Sequence, residues 1–274
     1  MELFDIVLQG AFKPYVNETA LYYLDLPFVN KVIISCWGTD NITKINTDKI
    51  EYIQSKLPSN MGTGRRNYQI CSSLAGLKLV ESKYCVKFRN DQRYFHSSMN
   101  EMYNYFLNNN FKEINYWDDE NKPKGKIFVG GNFIFYPFHP RDHFFWGYTE
   151  DLLDLFDIPY ESGSIYEKAN IAFKDEWKYY NYYTRVESYI GAHYASRFDE
   201  LIKIFLLNPD KYLFDNAPNI QESLNLSNKI TPKIFKSFPK SCIKLMEWPK
   251  HNWSEYPLEE QYHRYGERWH EDGV

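Results

Sequence analysis

MGTGRRNYQICSSLAGLKLVESKYCVKFRND, residues 61–91, reads as a glycine-containing loop, a helix, a turn and a strand. Ile70, Leu74 and Leu77 recur at helical spacing within Asn67–Val80, so one face of that helix is built for a core. Tyr84–Phe88 is the following strand, and it stops at Arg89-Asn90-Asp91. Arg65, Arg66, Asn67 and Gln69 open the helix, where free backbone N–H groups and the helix dipole favour an anion. Lys87, Arg89 and Asp91 sit at the carboxyl end of the strand, the edge at which open α/β sheets bind ligands. Basic groups and an acid converging there suit a nucleoside diphosphate, with or without a bridging metal ion.

Working outward, Phe4–Leu8 is a short apolar run ended by Gln9-Gly10, and it reads as a buried first strand. Glu18–Leu26 reads as a helix ahead of Pro27. Lys31–Cys36 is a second buried strand, ended by Trp37-Gly38-Thr39-Asp40, and Thr47–Leu57 is a weaker segment, short helix then strand. The order predicts an α/β fold with a mainly parallel, Rossmann-like sheet flanked by helices. Beyond Asp91, Ser98–Asn109 reads as an amphipathic helix and Lys126–Phe135 as two strand-like runs around Gly130-Gly131. Asp142–Gly147 reads as an aromatic turn. Thr149–Phe156 reads as a helix with Thr149 at its cap and Glu150 and Asp151 in its first turn, where they answer the dipole. Trp177–Phe205 reads as largely helical. Residues 1–208 are expected to form the ligand-binding domain, and the proline-punctuated residues 209–274 a loop-rich C-terminal extension packed on it. The chain has no internal repeats.

Hydrophobic residues make up 43% of the 274-residue chain and charged residues 25%, the balance of a folded globular domain. The 19% aromatic content is read first as a consequence of AT-rich coding and second as selection for sugar binding. A formal net charge of −4 argues against sequence-independent nucleic-acid binding, which needs a basic surface. The four cysteines, Cys36, Cys71, Cys85 and Cys242, form no CxxC pair, so reduced structural thiols and a cytoplasmic location are expected. The chain enters its first strand without a signal-peptide pattern. No segment approaches the ~18 apolar residues of a membrane span, so a lipid-linked partner would be met by peripheral contact.

Gln9, Gly10, Trp37, Thr39 and Asp40 end the first two strands, and in a nucleotide-binding half-sheet such ends line the base and ribose pocket. Trp37 is either a stacking platform or a core aromatic; Asp40 can accept from a ribose or a base N–H. In the segment His139–Gly147, Asp142 can bond sugar hydroxyls and Trp146 can cover a sugar ring. The spacing of His139, Asp142 and His143 within one short loop is poor for a zinc site. No GxSxG elbow and no Walker motif is present.

DIVLQG, KVIISCWGTD, RRNYQICSSLAGLK, KYCVKFRND, DHFFWGYTEDLLDLF and TRVESYI occur in this order, and the ordered set resembles the WavE family of lipopolysaccharide-synthesis proteins over roughly Asp5 to Ile190. These look like GT-A glycosyltransferases. The sequence departs from the family pattern at Tyr68, where an arginine beside Gln69 is expected, with Arg66 as its substitute. The resemblance implies a nucleoside-diphosphate sugar donor and a glycan or lipid-linked glycan acceptor. Arg66, Asn67, Gln69, Lys87, Arg89 and Asp91 would then hold the diphosphate, with Mn²⁺ or Mg²⁺ at Asp91. Such sites usually pair two carboxylates; here Arg89 takes the first place, so a guanidinium supplies part of the charge. Asp142 would position a sugar. Glu187 is the base that the resemblance favours, with Asp142 and Asp151 as rivals and an Arg185–Glu187 surface pair as the plain reading. Two other classes remain open: a sugar-nucleotide hydrolase or phosphotransferase using the same pocket, and a non-catalytic glycan-binding protein on a degenerate transferase fold.

Overall fold

The structure is a computed structural model that describes residues 1–110, 123–133, 138–162, 185–207, 218–243 and 246–247. Its first strands are β1 (Phe4–Gln9), β2 (Val29–Trp37), β3 (Ile50–Ser55), β4 (Tyr84–Arg89) and β5 (Arg93–Tyr94). They are followed by β6 (Ile127–Val129), β7 (Asn132–Phe133), β8 (His139–Pro140) and β9 (Phe144–Tyr148), and then β10 (Phe235–Ser237) and β11 (Met246–Glu247). The α-helices are α1 (Pro14–Leu24), α2 (Arg66–Leu77), α3 (His96–Asn110), α4 (Thr149–Phe156), α5 (Val186–Ala195), α6 (Glu200–Leu207) and α7 (Pro218–Ile234).

Seven strands form one sheet in the order β10-β6-β9-β4-β1-β2-β3. β1, β2, β3 and β4 run parallel; β9 runs antiparallel to both β4 and β6. β1 is buried along its whole length, which is why it reads as an apolar run rather than an alternating strand. The side chains of alternate residues then feed two cores. Phe4, Ile6 and Leu8 pack with Val16, Ala20 and Tyr23 of α1. Val7, Ile33 and Cys85 pack on the other face with Ile70 and Leu77 of α2.

Three expectations are corrected. Helix α1 begins at Pro14 rather than Glu18, with the proline in the first turn, where its missing N–H costs no helical bond. The aromatic run after Asp142 is not a turn: Phe144–Tyr148 is an inner strand of the sheet, with Gly147 opposite Cys85. Burial on both faces removed the alternation that would have marked it. Trp146 is therefore fully buried, packed against Phe4 and Phe106, and covers no ligand. Residues 218–237 are also more ordered than loop: α7 leads into β10, which pairs parallel with β6 at the sheet edge. Of the long helix expected over Trp177–Phe205, the residues before 185 lie outside the described ones; the rest is α5 and α6, separated at residues 196–199.

Candidate active site

β1 and β4 are neighbours, with Gln9 opposite Arg89, and β2 and β3 extend the sheet from the other side of β1. The strand order thus reverses between β1 and β4, and a crevice at their carboxyl ends is the switch point of an open α/β sheet. A cavity of about 480 Å³ lies there, within the usual size of a small-molecule site. Gln9, Gly10, Trp37 and Arg89-Asn90-Asp91 supply its strand-end side. Gly64, Arg65, Tyr68 and Gln69 come from the start of α2. Asp142, Arg185 and Glu187 come from the loop before β9 and the start of α5, and Lys13 and Tyr15 from the start of α1.

Arg89 organises the carboxylates. Its Nε donates to Asp91 Oδ1 at 3.1 Å and its Nη2 to Asp91 Oδ2 at 2.9 Å. Its Nη1 donates to Asp142 Oδ2 at 3.3 Å. Gln69 Nε2 approaches the same Asp142 oxygen at 3.5 Å. The two-point fork on Asp91 is the geometry in which arginine binds a carboxylate most specifically. Burial works to weaken the charge on Arg89, but Asp142 and Asp91 outweigh it and hold the guanidinium firmly protonated.

The two candidate acids are pushed apart. Burial raises the Asp142 carboxyl, but Arg89 leads the opposing charges and the net shift is downward. Glu187 is pushed up to about 8, first by burial and then by the charge of Asp142. Its Oε2 lies 3.5 Å from His139 Nε2, and burial lowers that imidazole to about 3. Opposed shifts in one cavity mark a division of acid and base roles. Lys87 lies fully buried on the α2 side of the sheet, its Nζ over the rings of Phe145 and Phe156. Burial lowers it to about 8.

The loop before α2 decides which arginine meets the cavity. Gly62 and Gly64 have φ of 68° and 59°, and Arg65 takes a left-handed φ of 67°. That conformation is uncommon for a residue with a Cβ and is often held at functional sites. It leaves Arg65 lining the cavity, while Arg66 is 1% exposed. Arg66 Nε stands 3.1 Å from Glu161 Oε2, and its guanidinium lies 4.5 Å from the centre of the Tyr189 ring. Asn67 is buried as well, bonded to the backbone of Asn60 and Glu161. Glu161 also takes the backbone N–H and hydroxyl of Thr63. Arg66 and Asn67 therefore shape the loop, and the structure does not bring them into the cavity.

Of the other expected site residues, Gln9, Gly10, Trp37, Gln69, Arg89, Asp91, Asp142 and Glu187 line the cavity; Thr39, Asp40 and Lys87 do not. Asp40 Oδ2 accepts the backbone N–H groups of Phe12 and Trp37, so it fixes the two strand ends instead of facing a ligand. Trp37 is 7% exposed, with its ring 5.3 Å from that of Tyr68. Asp151 accepts the backbone N–H groups of Lys124 and Gly125 and stands outside the cavity. Lys13, Tyr68 and Arg185 are lining residues that the expected set lacked, and Arg65, read at the helix start but not as a diphosphate ligand, lines the cavity in place of Arg66; the Gly-x-Gly ahead of Arg65 was the available signal.

A divalent ion at Asp91 does not fit this donor set. Both Asp91 oxygens are taken by Arg89, and among the described residues no three His, Cys, Asp or Glu side chains gather as ligands.

Sheet order and switch-point cavity together define a GT-A-like α/β fold, a mostly parallel seven-stranded sheet flanked by helices. More particularly, the chain belongs to the WavE lipopolysaccharide synthesis family, whose profile matches residues 25–205. Lipopolysaccharide synthesis is the process with which that family is described. No curated protein matches the chain in sequence. Among solved structures, HddC from Yersinia pseudotuberculosis aligns at 12% identity over 58% of this chain and 80% of its own, TM-score 0.34. S. aureus TarS aligns at 15% identity over 95% of this chain and 47% of its own, TM-score 0.35. The apo-form glycosyltransferase GlyE of Streptococcus pneumoniae TIGR4 aligns at 10% identity over 100% and 66%, TM-score 0.35. The chain thus spans under half of TarS. These likenesses are loose, and the fold rests on the sheet order itself.

Proposed function

We propose that the protein transfers a sugar from a nucleoside-diphosphate donor to a glycan acceptor of a surface polysaccharide or lipopolysaccharide. The observation that carries this reading is a switch-point cavity lined by the cationic side chains of Lys13, Arg65, Arg89 and Arg185 together with the acids Asp91, Asp142 and Glu187. Trp37 and Tyr68 form the aromatic side for the base, and Arg65 and Arg89 meet the diphosphate. Asp142 orients the donor sugar. The acceptor hydroxyl oxygen forms a bond to the sugar C1 as the bond from C1 to the diphosphate oxygen breaks, and that electron pair leaves with the diphosphate. Glu187, once deprotonated, takes the hydroxyl proton. Residues 1–208 carry the donor site, and of the segment after them α7 and β10 pack on the same domain. No helix among the described residues is long and apolar enough to cross a membrane; a lipid-linked acceptor is met peripherally from the cytoplasmic side.

The test is a thermal-shift panel of nucleoside diphosphates followed by donor turnover with and without a glycan acceptor. A bound nucleotide at 100 times its dissociation constant adds about 2.7 kcal/mol to stability. Acceptor-dependent turnover is expected. Free sugar released at the same rate without acceptor points to a hydrolase, and glycan binding without nucleotide binding to a lectin-like protein. If no nucleoside diphosphate at millimolar concentration shifts the melting temperature, the transferase reading fails.

A further inference from the structure

The arrangement around Arg89 carries a consequence for the cofactor. A GT-A site ordinarily sets a divalent ion against a strand-end carboxylate, so that the metal charge meets the leaving diphosphate. Here the place beside Asp91 is taken by the protein's own cation. Arg89 spans Asp91 by its Nε and Nη2 and Asp142 by its Nη1. Both carboxylates are mostly buried, with side-chain exposures of 15% and 13%. A metal on a remaining lone pair of either Asp91 oxygen would sit against the guanidinium that the fork holds there, at a cost in like-charge repulsion. The cavity does not lack positive charge without it. Lys13, Arg65, Arg89 and Arg185 line it against the carboxylates Asp91, Asp142 and Glu187.

We propose that the diphosphate of the donor is neutralised by Arg89 and Arg65 instead of a divalent metal, and that Asp91 serves to hold Arg89. This rests on the donor reading above. Asp91 is then a positioning residue. Its two oxygens fix the plane of the guanidinium, so the cation is in place before the nucleotide arrives. A preorganised cation needs no rearrangement when the C1–O bond breaks and charge gathers on the diphosphate.

The experiment is calorimetric titration of the full chain with UDP, GDP, CDP and ADP, each in EDTA and in millimolar Mn²⁺. At least one nucleotide is expected to bind, with affinities in the two buffers agreeing within about threefold. Arg89→Gln is expected to weaken that binding by about 10- to 100-fold in EDTA, the worth of a charge-assisted hydrogen bond. Binding that is more than about tenfold tighter in Mn²⁺ overturns the metal-free proposal and leaves the donor reading standing. Wild-type affinity in Arg89→Gln overturns the role of that residue. Absence of binding by any of the four nucleotides in either buffer overturns the donor reading, and this proposal with it. The wild-type titrations decide the metal question even if the variant fails to fold.

Discussion

Glu187 and Asp142 share a cavity and a cation, yet only one of them is fit to accept a proton near neutral pH. Asp142 is held below its ordinary value by Arg89 despite burial, so it stays ionised and is a weak base. Glu187, raised to about 8 by burial and by Asp142, becomes a strong base once it loses its proton. A base of that pKa gives a turnover that climbs with pH and levels above about 8. Glu187→Gln is expected to lower turnover by about 10²–10⁴-fold and to abolish the limb near pH 8, with donor affinity near wild type; a pH–rate profile and a nucleotide titration read the two parts. Asp142→Asn is expected to act differently. It removes one of the partners of Arg89 and the group proposed to orient the donor sugar, so the donor KM should rise more than kcat falls. If Glu187→Gln keeps the wild-type profile while Asp142→Asn is inactive, the base is Asp142.

Helix α2 shows how one element serves both packing and site. Gly76 lies where the helix meets the sheet: a Cβ there would stand 2.5 Å from Val7 Cγ1 and 3.0 Å from Ser35 Cβ. Gly76→Ala is expected to cost about 1–3 kcal/mol by overpacking, seen as a lower urea midpoint. At the other end of the helix the neighbouring arginines divide the work. Arg66→Ala leaves Glu161 as a buried charge without its partner, and about 3–5 kcal/mol of stability should be lost. Arg65→Gln should leave stability within about 0.5 kcal/mol and weaken nucleotide binding instead. Equal effects of the two changes on binding would contradict this division. The helix itself was legible, because Ile70, Leu74 and Leu77 repeat at its period. So were β1, β2 and β4, which are short buried runs ended by polar residues, and with them the strand ends that line the cavity. Which arginine faces the ligand was not legible. That depends on the left-handed backbone of Arg65 and on Glu161, about a hundred residues away along the chain. Strand β9 was hidden for another reason: burial on both faces left an aromatic string containing Gly147, with no period to read. The partners of Asp40 were equally hidden, since a carboxylate at a strand end looks the same whether it faces a ribose or two backbone N–H groups.

At the scale of the whole molecule, the groups buried around the site make stability depend on pH in two opposed ways. His139 is lowered to about 3, and His143 and His193 to about 4, each first by burial. A histidine with a depressed folded pKa contributes stability that is complete above the ordinary value of 6.5 and is lost as pH falls toward 4. The buried acids run the other way. Glu187 is raised to about 8 and Asp151 to about 7, both first by burial. An acid with a raised folded pKa contributes stability that is complete below its ordinary value and is lost as pH rises through the folded value. Between about pH 4.5 and 6.5 the three histidines outweigh the two acids, and stability rises. Above about 6.5 only the acids titrate, and stability falls until about pH 8. Lys87, lowered to about 8 by burial, adds an upward slope only beyond that point. The stability curve should therefore peak near pH 6.5 and lose about 1–2 kcal/mol by pH 8. Urea midpoints at constant ionic strength across pH 5 to 9 measure this. The double change Glu187→Gln with Asp151→Asn should flatten the falling limb and leave the acid-side limb in place. A wild-type curve that is level from pH 6.5 to 8, or a falling limb that survives the double change, would show that these two carboxyls are ionised in the folded protein at neutral pH.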